Sequence, residues 1–301
     1  MSVVLSHWSA IWVALGAYLV VAGAHLAGTL RGGAQTGQRA TTREAVMFQL
    51  GLLVALLALV SPVRYWSGIY IWVRAVQDLL LAVVAPGMIV VGAPWSALAW
   101  CVGRRDLGQR DLGRADAGQR DRGDAARPRP PWWLRWPVTT VVAFNVIWLG
   151  WHVPALFDRV PVSAAAAAAE YLLYLGAGIL FWLQVIGSRP WTPVSVPLRR
   201  ATLVIATVVA DTVLGMVLVF GSGVLYRVYG HTGHHVMTVV DDQQLAGAIL
   251  WMGMLPPMIA AAVAVLMRWL NDEESQALSS GIDRLLTPRS SAAWPSRPRF
   301  R

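Results

Sequence analysis

The chain has 301 residues, of which 56% are hydrophobic and only 14% are charged, and its mean hydropathy is +0.52. Soluble proteins carry about 25% charged residues, and apolar runs near the ~18 residues that cross a bilayer recur here, so composition excludes an ordinary soluble domain and predicts an all-α integral membrane protein. The formal net charge is +9, but the basic residues lie in loops beside apolar runs, which indicates membrane topology signals and argues against a nucleic-acid partner.

Two residue types exclude further classes of protein. All 25 residues of the Lys+Arg total are arginine, so the chain lacks the lysine with which a retinal protein forms its Schiff base. Cys101 is the one cysteine in the sequence, which excludes internal disulfides, CxxC redox chemistry and cysteine-ligated iron–sulfur clusters. No nucleophile–base pattern or cofactor fingerprint is present, so we predict that the protein is not an enzyme.

The apolar runs predict a bundle of seven transmembrane helices. The predicted spans are residues 9–28, 46–62, 68–100, 137–151, 162–187, 198–221 and 242–270. The third run is long enough to include an extra turn or an interfacial end. The N-terminus resembles a signal peptide, but residues 1–8 carry no positive charge and no convincing cleavage site follows, so we expect a first helix there.

Arginine placement predicts the orientation of the bundle. The first, third and fifth connections and the C-terminal tail are basic, whereas the alternate connections carry only Arg64, Arg159 and Arg227. Because basic loops stay in the cytoplasm, this pattern predicts an N-terminus outside and a C-terminus in the cytoplasm. The expected location is the plasma membrane, with membrane lipid around a multi-pass chain.

Two segments are too polar to bury a core. Residues 103–131 mix Arg, Asp and Gly and repeat the motif GQRD, and residues 276–301 are basic. Sequences of this kind are typical of disorder. We therefore predict a membrane domain over residues 1–275, interrupted by a disordered cytoplasmic loop at 103–131, and a disordered cytoplasmic tail at 276–301.

Polar residues from several spans are predicted to share one depth near the outer surface. They are Arg74, Gln77, Asp78, His152, Asp158, Glu170, Tyr171, Asp242, Gln243 and Gln244. Arg74 and Asp78 are four residues apart on one helix face, so they can pair. Charged groups in a bilayer cost several kcal/mol unless they are paired or hydrated. Two interpretations stay open: a hydrogen-bonded network that ties the helices together, or a ligand, ion or metal site open to the exterior.

A histidine-containing loop lies on the same predicted side. The segment "HTGHHVM" (231–237) offers His231, His234 and His235, which together with His152 are candidate ligands for copper or zinc. Solvated loop histidines are the alternative. Copper is therefore a candidate cofactor, and the spacing alone does not decide between the two interpretations.

Three sequence blocks resemble a known family. They are "GWHVPALFD" (150–158), "EYLLYLGAGILFW" (170–182) and "DDQQLAGAILW" (241–251). The chain resembles the multi-span CtaG family of cytochrome c oxidase assembly proteins, associated with caa-type oxidases, over about residues 46–270. The resemblance implies a seven-span plasma-membrane bundle that matures a haem-copper oxidase, with the oxidase subunits as partners and copper supply as an open question.

The chain departs from that family at proposed metal ligands. The resemblance implies a His-x3-His pair in the third span, where this chain has Arg74 and Asp78, and a second pair around a glutamate, where it has Ala167 and Tyr171 beside Glu170. Arginine stays protonated and does not bind copper. We therefore expect an inherited scaffold in which Arg74 forms a salt bridge with Asp78 or Glu170 in place of a metal centre.

Three functions follow as hypotheses. The first is an assembly factor that acts as a membrane scaffold for a cytochrome c oxidase, with copper handling doubtful. The second is a small transporter or ion-handling protein that uses the polar residues near the outer surface. The third is a copper-binding membrane protein, whether or not it serves an oxidase.

Overall fold

The computed structural model is all-α in the part of the chain that it describes, with no β-strand among those residues. The described residues are 9–36, 41–60, 62–101, 135–188, 196–231 and 237–286. The predicted loop at 103–131 lies outside them, and so do His234, His235 and residues 287–301.

Ten helices follow one another along the described residues. They are α1 (Ser9–Thr36), α2 (Thr42–Val60), α3 (Pro62–Ser67), α4 (Ile71–Val91), α5 (Trp95–Cys101), α6 (Pro137–Trp151), α7 (Pro154–Phe157), α8 (Ala164–Val185), α9 (Pro197–Phe220) and α10 (Val239–Leu286). A 3-10 turn at Arg227–His231 lies between α9 and α10.

Six helices of the described chain are long and apolar enough to cross a membrane. They are α2, α4, α8, α9, Trp12–Leu30 of α1 and Val239–Asn271 of α10. The helix α6 is equally apolar but has 15 residues, which is about 22 Å at 1.5 Å per residue, against a hydrocarbon core of about 30 Å. The bounds of α6 equal the predicted ones, whereas its role as a seventh span stays a prediction.

The predicted third span, residues 68–100, is not one continuous helix. It divides into α4 and α5, and Ala93 between them has a positive φ of 42°. Pro94 follows, and a proline disfavours helical backbone at the residue before it. At the other end of the chain, α10 continues to Leu286, so residues 276–286 of the predicted disordered tail are helical.

The helix α4 lies at the centre of the bundle. In an 18-residue stretch of α4, 72% of the residues are buried, against 33% or less in the corresponding stretch of each of the other five candidate spans. It packs against α2, α8 and α10. Polar side chains on α4 are therefore inside the protein, where each needs a partner from another helix.

Close contact between α4 and α8 depends on Gly178. A Cβ atom at this position would collide with the carbonyl oxygen of Ala82 and lie 2.7 Å from Cγ of Pro86. The backbone of α4 is irregular here, with a π-helical turn at Leu80–Val84 just before Pro86. The indole nitrogen of Trp182 on α8 donates to the carbonyl oxygen of Val83 at 2.8 Å, so α8 supplies a hydrogen bond where the helical pattern changes.

The Gly178→Ala substitution should therefore loosen the α4–α8 contact. We expect a loss of about 1–3 kcal/mol in the free energy of unfolding, because backbone atoms cannot move aside as a flexible side chain would. The matched control is Gly176→Ala on the same helix, where an added Cβ meets nothing within 4 Å. Denaturation of the two purified variants, followed by circular dichroism, measures the difference; equal stabilities would contradict the packing.

Candidate functional site

Four ionisable side chains meet at the end of the bundle where α4 and α8 begin and α6 ends. They are Arg74 and Asp78 on α4, His152 just after α6, and Glu170 on α8; their exposed fractions are 2%, 0%, 4% and 0%. We call these four residues the ion-pair cluster. The structure brings these side chains from α4, α8 and the end of α6 within 4 Å of one another in pairs.

Arg74 lies between the two carboxylates of the ion-pair cluster. Its Nη2 donates to Oε1 of Glu170 at 2.6 Å, and its Nη1 donates to the carbonyl oxygen of Phe157 at 3.1 Å. The guanidinium carbon lies 3.8 Å from the centre of the Phe157 ring. A buried, charge-assisted hydrogen bond of this kind joins α4 to α8, and the cation–π contact joins both to α7.

Asp78 and His152 form the second half of the cluster. Oδ2 of Asp78 lies 3.8 Å from Nε of Arg74 and 3.8 Å from Nε2 of His152. Nδ1 of His152 is 2.8 Å from the carbonyl oxygen of Trp148. Because a carbonyl oxygen only accepts, Nδ1 carries the hydrogen of this bond and Nε2 points toward Asp78.

The centre of the cluster keeps unused hydrogen-bonding capacity. Among the described residues, no hydrogen-bond partner reaches Nε of Arg74, either Oδ atom of Asp78, Nε2 of His152 or Oε2 of Glu170. The centre is also occupied by a guanidinium, whose positive charge repels a metal cation.

Aromatic residues enclose the cluster. Tyr229 donates to the carbonyl oxygen of Ser67 at 2.9 Å and receives a long contact of 3.5 Å from Nη1 of Arg74. Tyr226 donates to the carbonyl oxygen of His152 at 3.0 Å. Burial raises the pKa of both phenols, which lie in the loop between α9 and α10. Both therefore act as neutral hydroxyl donors at physiological pH.

Asp242 and Gln243 hold the backbone around the cluster. The two carboxylate oxygens of Asp242 accept from the amides of Ile71 at 2.8 Å and Trp72 at 2.9 Å. They satisfy the first amides of α4 from another helix, as an N-cap side chain does locally. Gln243 accepts from the amide of Leu225 at 2.8 Å. These two predicted site residues fix the start of α4 and the loop after α9.

The remaining predicted residues lie around the cluster. Nε2 of Gln77 donates to the carbonyl oxygen of Ala58 at 2.7 Å, which ties α4 to α2. Oδ2 of half-buried Asp158 accepts from the amide of Arg227 at 3.3 Å. The hydroxyl of Tyr171 accepts from Nη1 of Arg64 at 2.9 Å. Half-buried Gln244 makes no hydrogen bond to the cluster within the described residues.

The predicted histidine site is only partly described. His231 is exposed at the end of the 3-10 turn, while His234 and His235 lie outside the described residues. In the part of the chain that is described, no group of three or more His, Cys, Asp or Glu side chains is arranged to hold a metal ion. Copper binding through these histidines stays an untested hypothesis.

Comparison with known proteins decides the family. The sequence profile of the cytochrome c oxidase caa3 assembly factor family (Caa3_CtaG) matches residues 23–272. The chain belongs to this family. The match confirms the resemblance and extends it at both ends; it supports the assembly hypothesis and neither of the two alternatives. No curated protein and no solved structure matches the chain.

Two polar features of this caa3 assembly factor were missed by sequence reasoning. Asp211 on α9 is 1% exposed and accepts from the indole nitrogen of Trp148 at 3.1 Å. The signal for it is a lone carboxylate within an apolar run. Arg64 on α3 is the second feature. It is the lone arginine of an otherwise uncharged connection, and it reaches Tyr171 beside the cluster.

Substituting Arg74 should strongly destabilise the assembly factor. Arg74→Gln leaves the Glu170 carboxylate buried without its cation, and losing one partner of a buried pair typically costs about 3–5 kcal/mol. The control is Arg64→Gln, which removes an arginine that is only half-buried and should cost about 0–1 kcal/mol. Thermal unfolding of both variants in detergent measures the contrast. Equal losses would mean that Arg74 is no more than a peripheral charge.

Proposed function

We propose that this caa3 assembly factor is a scaffold in the plasma membrane that matures a haem-copper oxidase without carrying copper through its ion-pair cluster. Family membership supports the assembly role and an oxidase-related partner. The proposed partners are subunits of the oxidase itself. The proposed role is non-catalytic: the chain binds and orients its client and performs no reaction of its own.

Arg74 is the observation that carries the scaffold proposal. Its guanidinium occupies the space between Glu170 and Asp78, at 2.6 Å and 3.8 Å from their carboxylate oxygens. The resemblance implies histidine pairs at the positions of Arg74, Asp78, Ala167 and Tyr171. A permanently protonated side chain between the carboxylates favours an ion pair over a bound copper ion. The same interaction joins the helices and keeps the scaffold in one shape.

The proposed topology has seven spans with the N-terminus outside. The helix α6 is short for a span, but it packs against both α8 and α9 and begins near Arg135. Counting it places every basic connection on one side of the membrane, as the positive-inside rule requires. The ion-pair cluster then lies toward the outer surface, and the tail after α10 lies in the cytoplasm.

Deletion of the gene tests the proposed function. We expect the deletion strain to lose absorbance of a-type haem in reduced-minus-oxidised membrane spectra and to consume less oxygen through the oxidase. Added copper should not restore either signal, because the missing contribution is a scaffold. The wild-type gene and the Arg64→Gln variant should restore both, whereas Arg74→Gln should restore them only to the extent that the protein still accumulates.

Two outcomes would contradict the proposal. Unchanged spectra and oxygen uptake in the deletion strain would remove the assembly role. Full recovery on addition of copper would replace scaffolding with copper supply. In that case a His231→Ala variant of the gene, compared with wild type in low-copper medium, would show whether the exposed histidine takes part.

A further inference from the structure

A small polar cavity opens beside the ion-pair cluster. It has a volume of about 80 Å³ and lies between α3, the start of α4, the turn after α7 and the start of α8. Its polar wall is formed by Arg64, Ser67, Gly68, Arg74, Gln77 and Tyr171. The cavity is therefore bounded by Arg64 and by Arg74 of the ion-pair cluster.

The wall of the cavity is positively charged. Among the described residues that line it, two are arginines and none is a carboxylate. Glu170 and Asp78 contact Arg74 but do not line the cavity. Arg64 forms no salt bridge with a carboxylate in the described part of the chain, and its guanidinium contacts the hydroxyl and the ring of Tyr171. An uncompensated guanidinium thus faces the cavity at its wall.

The hydrogen-bond donors that remain on this wall suit an anion. Arg74 lines the cavity, and its Nε makes no hydrogen bond within the described residues, the nearest carboxylate oxygen being Oδ2 of Asp78 at 3.8 Å. The Tyr171 hydroxyl accepts from Arg64 at 2.9 Å, so its own hydrogen is available to an acceptor. Arginine and hydroxyl donors converging on one point are the usual means of holding a carboxylate or phosphate oxygen.

We propose that this cavity is a binding site for one small oxyanion, of carboxylate or phosphate type. One water molecule needs about 10–15 Å³ of such volume, so a cavity of about 80 Å³ has room for an ion of acetate size. Arg64 and Tyr171, which contact each other, hold the ion from one side, and Arg74 bounds the other. The same positive wall excludes metal cations from this route to Asp78 and His152. The site does not depend on the assembly role.

Charge-selective labelling of a cysteine at Gly68 tests the site. A Cβ at Gly68 would meet only the carbonyl oxygen of Tyr65, at 3.5 Å, which is ordinary contact, so Gly68→Cys should fold. The native thiol is removed by Cys101→Ser in the full-length protein. The purified protein in detergent is reacted with two methanethiosulfonates of similar size, one bearing a sulfonate and one a trimethylammonium group. Each rate is divided by that reagent's rate with a simple thiol in solution.

The sulfonate reagent should react about tenfold faster at low ionic strength, since a nearby unpaired charge readily supplies such a factor. Adding Arg64→Gln should abolish the preference. The matched control is Val63→Cys on α3, the short helix that ends just before Gly68. Val63 lines a separate apolar groove with no charged residue among its described lining, so the two reagents should react alike there. Equal rates at Gly68→Cys, a preference that survives Arg64→Gln, or no reaction with either reagent would each overturn the proposal.

Competition identifies the chemistry and the source of the oxyanion. Acetate or inorganic phosphate should slow labelling of Gly68→Cys more than sodium chloride does at equal ionic strength. Equal slowing by chloride would show that the salts act only by screening charge, and it would overturn the proposal of an oxyanion site. Protection by soluble acetate assigns the site to a dissolved ion. Protection by added phosphatidylglycerol, with none by acetate, assigns it to a lipid headgroup.

Discussion

The Arg74–Glu170 ion pair is the constraint on which the rest of the structure depends. A guanidinium and a carboxylate that are 2% and 0% exposed within an apolar bundle must stay in contact, because either one alone is costly to bury. The pair therefore fixes the rotation and depth of α4 relative to α8. Phe157 closes over the guanidinium at 3.8 Å and brings the turn after α6 into the same unit.

Contacts from other parts of the bundle help to hold the helices that carry the Arg74–Glu170 pair in place. Asp242 on α10 accepts from the first amides of α4, so the helix that carries Arg74 begins at a fixed position. Gly178 lets the same two helices approach closely about two turns beyond Glu170. The unused donors and acceptors at the centre, together with the cavity beside Arg64, leave one side of this rigid unit able to bind a ligand. In an assembly factor, such a unit would present its client with one fixed surface.

Sequence patterns were sufficient to locate the six long apolar helices, and they put the four residues of the cluster among ten candidates. Long apolar runs predict spans directly, and a charged residue inside a run predicts a buried partner, as at Arg74 and Glu170. The contacts between distant segments were not predictable. Asp242 caps a helix whose first residue lies 171 positions earlier in the chain. The sequence around Asp242 does not distinguish this capping role from a role in binding a ligand. A single loop arginine carries no periodic signal, so the sequence does not place Arg64 beside the cluster. Apolar character continues past Pro94, so the sequence does not show where α4 ends.

A double-mutant cycle between Arg74 and Glu170 tests the central claim most directly. The free energies of unfolding of wild type, Arg74→Gln, Glu170→Gln and the double variant are measured in the same detergent. If the pair organises the bundle, the second substitution costs much less in the presence of the first, with a coupling energy of about 1–3 kcal/mol. Additive losses, within about 0.5 kcal/mol, would show that the two charges do not depend on each other and would contradict the account.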